Sequence, residues 1–134
     1  MPWLITLFLL LALPARAAEP APRLRCDVTY AGATQRIEAG PTADPYAVPS
    51  VDIGGRFWFK PVVVQGGGRV ERIGLYAYVD TEAQPVLIQH ARYLPPYPRG
   101  RPGQPVDLTG VQHLYAGPLE RELIYQCWLL QGRR

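Results

Sequence analysis

The chain has 134 residues, with 14 Lys and Arg against 11 Asp and Glu and a formal net charge of +3. That excess is too small to argue for nucleic-acid binding, and the length leaves room for one cored domain, not two. The 15 prolines and 13 glycines argue against long helices, since proline breaks the helical ladder and glycine weakens it. Lys60 is the only lysine. Arg, Ala, Gly and Pro are all frequent, as in GC-rich coding, so the arginine excess reads mostly as background.

Residues 1–17 have the pattern of a cleaved signal peptide. Leu4 to Leu13 is apolar except for Thr6, and a membrane span needs about 20 such residues. Pro14 ends the run, and Ala15-Arg16-Ala17 places small residues where a signal peptidase reads, with cleavage before Ala18. One departure is the lack of Lys or Arg ahead of the run. An uncleaved anchor is the alternative, and the short run argues against it. Arg25 beside Cys26 does not suit a lipidation site. The expectation is a periplasmic or secreted protein: residues 18–134 as a single β domain, with no transmembrane segment after cleavage.

Leu24, Cys26, Val28 and Tyr30 alternate with Arg25, Asp27 and Thr29, the period of a strand with one apolar face. Ala31-Gly32 predicts a turn and Thr34 to Glu38 a returning strand. Gly40 to Gly55 reads as a long loop. Phe57 to Val64 is the next strand, and Pro61 within it predicts an edge position or a bulge. Gly66-Gly67-Gly68 predicts a tight hairpin into Val70 to Val79. There Ile73, Leu75, Ala77 and Val79 share one face, and Tyr76 and Tyr78 the other. A turn at Asp80 to Ala83 leads into Val86 to Tyr93, followed by a Pro-rich loop over 94–107. Val111 to Tyr115 and Glu120 to Leu130 complete about seven strands, the last with Leu123, Tyr125, Cys127 and Leu129 on one face. The fold class is all-β: a small antiparallel sandwich or a partly open barrel.

Cys26 and Cys127 are the only cysteines and both fall on apolar faces. In an oxidising compartment the simplest pairing is one disulfide between them. Tyr125-Gln126-Cys127 resembles the Tyr-x-Cys of an immunoglobulin-type strand F. The wide cysteine spacing, the lack of a tryptophan one strand after Cys26 and the short tail after Cys127 depart from that family, so the expectation stays a sandwich or barrel.

No constellation points to catalysis, a cofactor or a metal. His90 and His113 stand on different predicted strands without a second ligand at metal spacing. Ser50 is the only serine and lacks a nucleophile elbow. Glu120 and Glu122 would share a strand face, which is more often solvated than catalytic. The glycine run at 66–68 lacks the lysine and helix of a phosphate loop.

Two surfaces are candidates for binding. The first is the 93–105 loop, with Tyr93, Tyr97, Arg99 and Arg101 on a stiff proline-rich track. Its opposite reading is a solvated loop whose tyrosines pack back on the sheet. The second is Trp58, Tyr76 and Tyr78, as an exposed aromatic face or as core. The functional expectation is a non-enzymatic accessory protein of the bacterial envelope that engages a protein partner through the loop. The alternatives are an inhibitor of an exported hydrolase and a carbohydrate- or cell-wall-binding module.

Overall fold

The computed structural model describes residues 22–131, with residues 12 and 14 as isolated positions ahead of them. Apart from those two positions, the leader expected over residues 1–17 lies outside the described residues.

Period-two alternation decides the first strand. In β1 (Arg23–Tyr30), Leu24, Cys26 and Val28 are fully buried while the residues between them face outward. Ala31 and Gly32 both take positive φ, 50° and 80°, the two-residue turn whose twist suits a hairpin. They return the chain as β2 (Ala33–Ala39). The last strand, β10 (Arg121–Leu130), has the same alternation and buries Leu123, Tyr125, Cys127 and Leu129. It pairs antiparallel with β1 along the whole of β1, from Arg23 opposite Leu130 to Tyr30 opposite Leu123. First and last strands are therefore neighbours.

The second sheet is built on a long hairpin, β5 (Phe57–Gly66) and β6 (Arg69–Val79). Gly67 and Gly68 hold its turn at φ 58° and 75°. β7 (Val86–Tyr93) pairs with the far side of β6. The inner faces of the two sheets meet in one core, where Phe59 lies against Tyr125 with ring centroids 5.0 Å apart. The architecture is an open sandwich, not a closed barrel: one sheet is ordered β2-β1-β10 and the other β5-β6-β7, each completed by two short strands on one edge.

Three of those short strands explain why ten strands stand where about seven were expected. In the first sheet, β8 (Val106–Asp107) pairs with the end of β10 and β9 (Gln112–Ala116) with its start. In the second, β4 (Val51–Ile53) pairs antiparallel with Phe57–Phe59, and β3 (Pro41–Thr42) pairs parallel with Val63–Val64. β3, β4 and β8 fall in segments read as loops. Two or three residues are too few to display an alternation. The β3–β5 pair also makes the second sheet mixed rather than purely antiparallel.

The edge position expected for the Pro61 strand is incorrect, because β5 lies between β6 and the β3 and β4 pieces. The bulge in the β5–β6 ladder is at Val64/Gln65, not at the proline. Pro61 instead falls in the gap where β4 has ended and β3 has not begun. A missing N–H costs nothing on a side with no ladder partner. Proline is tolerated in a central strand here because its neighbour is broken.

The disulfide joins Cys26 and Cys127 directly across the β1–β10 ladder. The Cys127 N–H donates to Thr109 Oγ1 at 2.9 Å, and its carbonyl accepts from the Leu108 N–H at 2.9 Å. Both groups therefore point away from β1. The cysteines occupy a non-hydrogen-bonded pair, where neighbouring strands come closest, with Cα atoms 4.1 Å apart. The bond lies within one sheet, whereas the immunoglobulin disulfide links two.

Contacts across the sheets include Tyr30 against Phe57, with ring centroids 5.4 Å apart, and Tyr125, whose hydroxyl donates to Gln89 Oε1 on β7. Burial holds the Tyr125 hydroxyl well above the ordinary tyrosine value, and nearby Tyr93 adds to the shift. Burial also raises Tyr93 and Tyr97.

Two outcomes follow from this arrangement. Replacing both cysteines by alanine should lower stability by up to about 4–5 kcal/mol in the chain-entropy account, because the bond separates residues 101 apart in sequence; the urea midpoint reads this. For Tyr125 the unfolded chain releases its proton near pH 10. Stability present below that pH is lost as pH rises from there toward the higher folded-state value. Tyr125→Phe should blunt that alkaline loss and cost about 1 kcal/mol at neutral pH, where Gln89 loses its partner. Urea unfolding at neutral and alkaline pH measures both effects.

Candidate binding face on the second sheet

Alternation that sends Phe57, Phe59, Ile73, Leu75 and Ala77 inward sends their neighbours to the outer face of the second sheet. Register then arranges those neighbours in rows. Asp52, Trp58, Tyr78 and Leu87 form one, from β4 through β7. Lys60, Tyr76 and His90 form the next, then Val62, Gly74 and Arg92, and finally Val64 and Arg72. Trp58, Tyr76 and Tyr78 thus share an outer face and are half-buried; the core reading of these three is incorrect.

Tyr76 is held on both sides. Its ring stacks on the His90 imidazole at 4.4 Å between centroids and 11° between planes. The Lys60 Nζ stands 5.0 Å from its centroid, in cation–π range. The ring leans along β6 over Gly74: a Cβ on residue 74 would come within 3.0 Å of Tyr76 Cε2. Glycine there makes the close approach possible. Val62 and Val64 point outward yet are only 2% and 6% exposed. Arg72 is the register neighbour of Val64, and Arg92 lies beyond Gly74 in the Val62 row; arginine stems can cover apolar surface while the guanidinium stays in water. The Trp58 indole N–H is buried without a hydrogen-bond partner among the described residues.

The charges on the two outer faces are arranged differently. On the first sheet, Arg36 pairs with Asp27 at 3.0 Å, Arg23 with Glu38 at 3.8 Å, and His113 faces Glu122 at 3.7 Å. Arg25 there lies 5.3 Å from the Trp128 ring. On the second sheet, Lys60, Arg72 and Arg92 have no carboxylate within ion-pair distance among the described residues. Asp52 is the acidic residue in these rows, and its Oδ1 accepts from the Gly55 N–H at 2.8 Å in the β4–β5 turn.

The 93–105 loop divides. Tyr93 and Tyr97 pack against the core, and the Tyr97 hydroxyl donates to the Val70 carbonyl at 3.4 Å. Arg99 and Arg101 are exposed. The tyrosines are anchors, and only the arginines are presented. Because the loop is tied to Val70 at the start of β6, it sits at the same end of the sandwich as Arg72.

The remaining sequence-level chemistry is dispersed. His90 and His113 are on the outer faces of different sheets, and Ser50 is exposed ahead of β4. Glu120 lies in the β9–β10 turn with φ 46°, so it does not share a strand face with Glu122. Among the described residues, no three His, Cys, Asp or Glu gather as metal ligands. One cleft of about 540 Å³ lies at that turn, lined by Tyr115, Ala116, Gly117 and Glu120. Another of about 310 Å³ lies between β2 and the β3–β4 gap, with mostly apolar walls.

Sequence reasoning singled out Trp58, Tyr76 and Tyr78 but missed Lys60, Arg72, His90 and Arg92. Lys60 and Arg72 were within reach, since period two places them with Trp58 and Tyr76 on the same strands. His90 and Arg92 needed the β6–β7 register, which includes a bulge at Ala77/Tyr78. In class, the molecule is an open β-sandwich clamped by an intrasheet disulfide, with one basic and aromatic outer face. Comparison with protein-family models, curated proteins and solved structures found no match.

Gly74→Ala should leave stability within about 1 kcal/mol, since alanine also restricts the unfolded chain. It should displace the Tyr76 ring, so the His90 ring protons lose their ring-current shift in NMR spectra.

Proposed function

We propose that the chain is an exported, non-enzymatic binding domain of the cell envelope, and that the outer face of its second sheet is the contact surface. The observation that carries this reading is a set of cations, Lys60, Arg72 and Arg92, with no carboxylate in ion-pair range among the described residues, around a Tyr76 ring held between Lys60 and His90. Charges without an ion-pair partner gain no pairwise Coulomb energy on folding, whereas a preorganised face costs less entropy when a ligand arrives. Export is supported by the apolar leader and is compatible with the disulfide. Among the described residues no helix is long and apolar enough to cross a membrane. The loop reading loses support because Tyr93 and Tyr97 are turned toward the core.

Cosedimentation of the mature domain with isolated envelope fractions tests the reading. Lys60→Ser/Arg72→Ser/Arg92→Ser should reduce the bound fraction about tenfold, as expected when several contact charges are removed. Arg99→Ser/Arg101→Ser should reduce it by less than about half. Circular dichroism should show both variants folded. If the loop variant alone loses binding, the contact surface is the loop and the face assignment falls.

A further inference from the structure

We infer that the ligand of this face is an acidic polysaccharide, a chain of sugars bearing repeated carboxylates; this rests on the binding role proposed above and names its chemistry.

Charge sign is the first argument. The rows carry Lys60, Arg72 and Arg92, with Arg69 beyond them opposite Gly66, against the carboxylates of Asp52, which lies at the rim and is engaged by Gly55, and of Glu71, which lies over Gly66. Arginine presents a planar fork that accepts a carboxylate through two parallel hydrogen bonds. The complementary ligand is anionic.

Spacing is the second. Residues two apart on a strand are separated by about 6.7 Å, and adjacent strands by about 4.8 Å. The registers therefore place the Cα atoms of Lys60, Arg72 and Arg92 roughly 8–14 Å from one another. Such a track suits a polymer with charges at regular intervals better than one small anion, which needs donors converging on a point.

Surface character separates a glycan from the other polyanions. An acidic protein partner would need apolar anchors at the centre of its contact, and a lipid surface would need residues to insert. Leu87, at the margin on β7, is the large hydrophobic residue of these rows that is substantially exposed. Tyr76 cannot act as a stacking platform for a neutral sugar, since His90 and Lys60 occupy both sides of its ring. What the face offers is charge and hydrogen-bond donors on a flat sheet, with the half-buried rings of Trp58 and Tyr78 beside them. A hydrated, charged glycan matches that offer.

The test is a binding titration of the mature, disulfide-bonded domain. Its probes are polygalacturonate, dextran, poly-glutamate and phosphatidylglycerol vesicles, each at low and high ionic strength. The expected result is binding to polygalacturonate that weakens about tenfold or more with added salt and about tenfold in Lys60→Ser/Arg92→Ser. Dextran, poly-glutamate and vesicles should bind at least about tenfold more weakly than polygalacturonate. Salt-insensitive binding to dextran would overturn the acidic-glycan assignment. Preference for poly-glutamate or vesicles would overturn it in favour of a protein or a membrane. In those three cases, loss of binding in the face variant would leave the binding-face reading standing. Failure to bind polygalacturonate at all overturns the inference, while the envelope cosedimentation decides the broader reading separately.

Discussion

The antiparallel pairing of the first and last strands, closed by Cys26–Cys127, is the constraint on which the rest of the molecule depends. Each strand of that pair holds half of one buried face: Leu24, Cys26 and Val28 on β1, and Leu123, Tyr125, Cys127 and Leu129 on β10. Neither strand has a sequence neighbour that could replace the other. Pairing ends of the chain this far apart forfeits loop entropy before any contact offsets it. A covalent bond at the closest point of the ladder removes that entropy from the unfolded chain instead. With β1 and β10 joined, their inner face becomes a fixed surface on which the β5–β6 hairpin packs.

The second constraint is the management of edges. Each sheet has one continuous edge strand, β2 or β7, and one edge made of two short pieces. A long unpaired edge is a template for another chain's strand. Broken edges offer only two to five residues at a time. The same breaks accommodate sequence features that regular strands reject. Pro61 lies in the β3–β4 gap. Cys127 turns its backbone polar groups to Leu108 and Thr109 between β8 and β9. Proline and glycine in the long connections are thus part of the sheet design as well as of the loops.

The two outer faces divide stability from recognition. The first sheet neutralises much of its charge locally, through Arg36–Asp27 and Arg23–Glu38, while Arg25 lies against the Trp128 ring. Such exposed pairs contribute little energy but leave no field for a ligand. The second sheet leaves Lys60, Arg72 and Arg92 without a carboxylate partner among the described residues, and its Tyr76 ring positions Lys60 and His90. The Tyr76 arrangement needs Gly74 beneath it, so backbone space, aromatic packing and charge placement form one unit.

Period two, turn glycines and cysteine count were enough to read the all-β class, seven of the strands, the inward sets on β1, β6 and β10, and the disulfide. Each of these follows from residues close together in sequence, or from having only two cysteines to pair. The alternation of Trp58 with Lys60 and of Tyr76 with Arg72 was equally local and placed each pair on one face. The tertiary structure alone decided that this face is outer rather than core, and that Tyr93 and Tyr97 anchor the loop they were expected to display. It also decided that His90 and Arg92 join Tyr76 and Gly74. Those facts depend on which strands pair, in what register, and on which side the other sheet packs. Alternation says that a strand has two faces; only burial against a distant partner says which of them meets water.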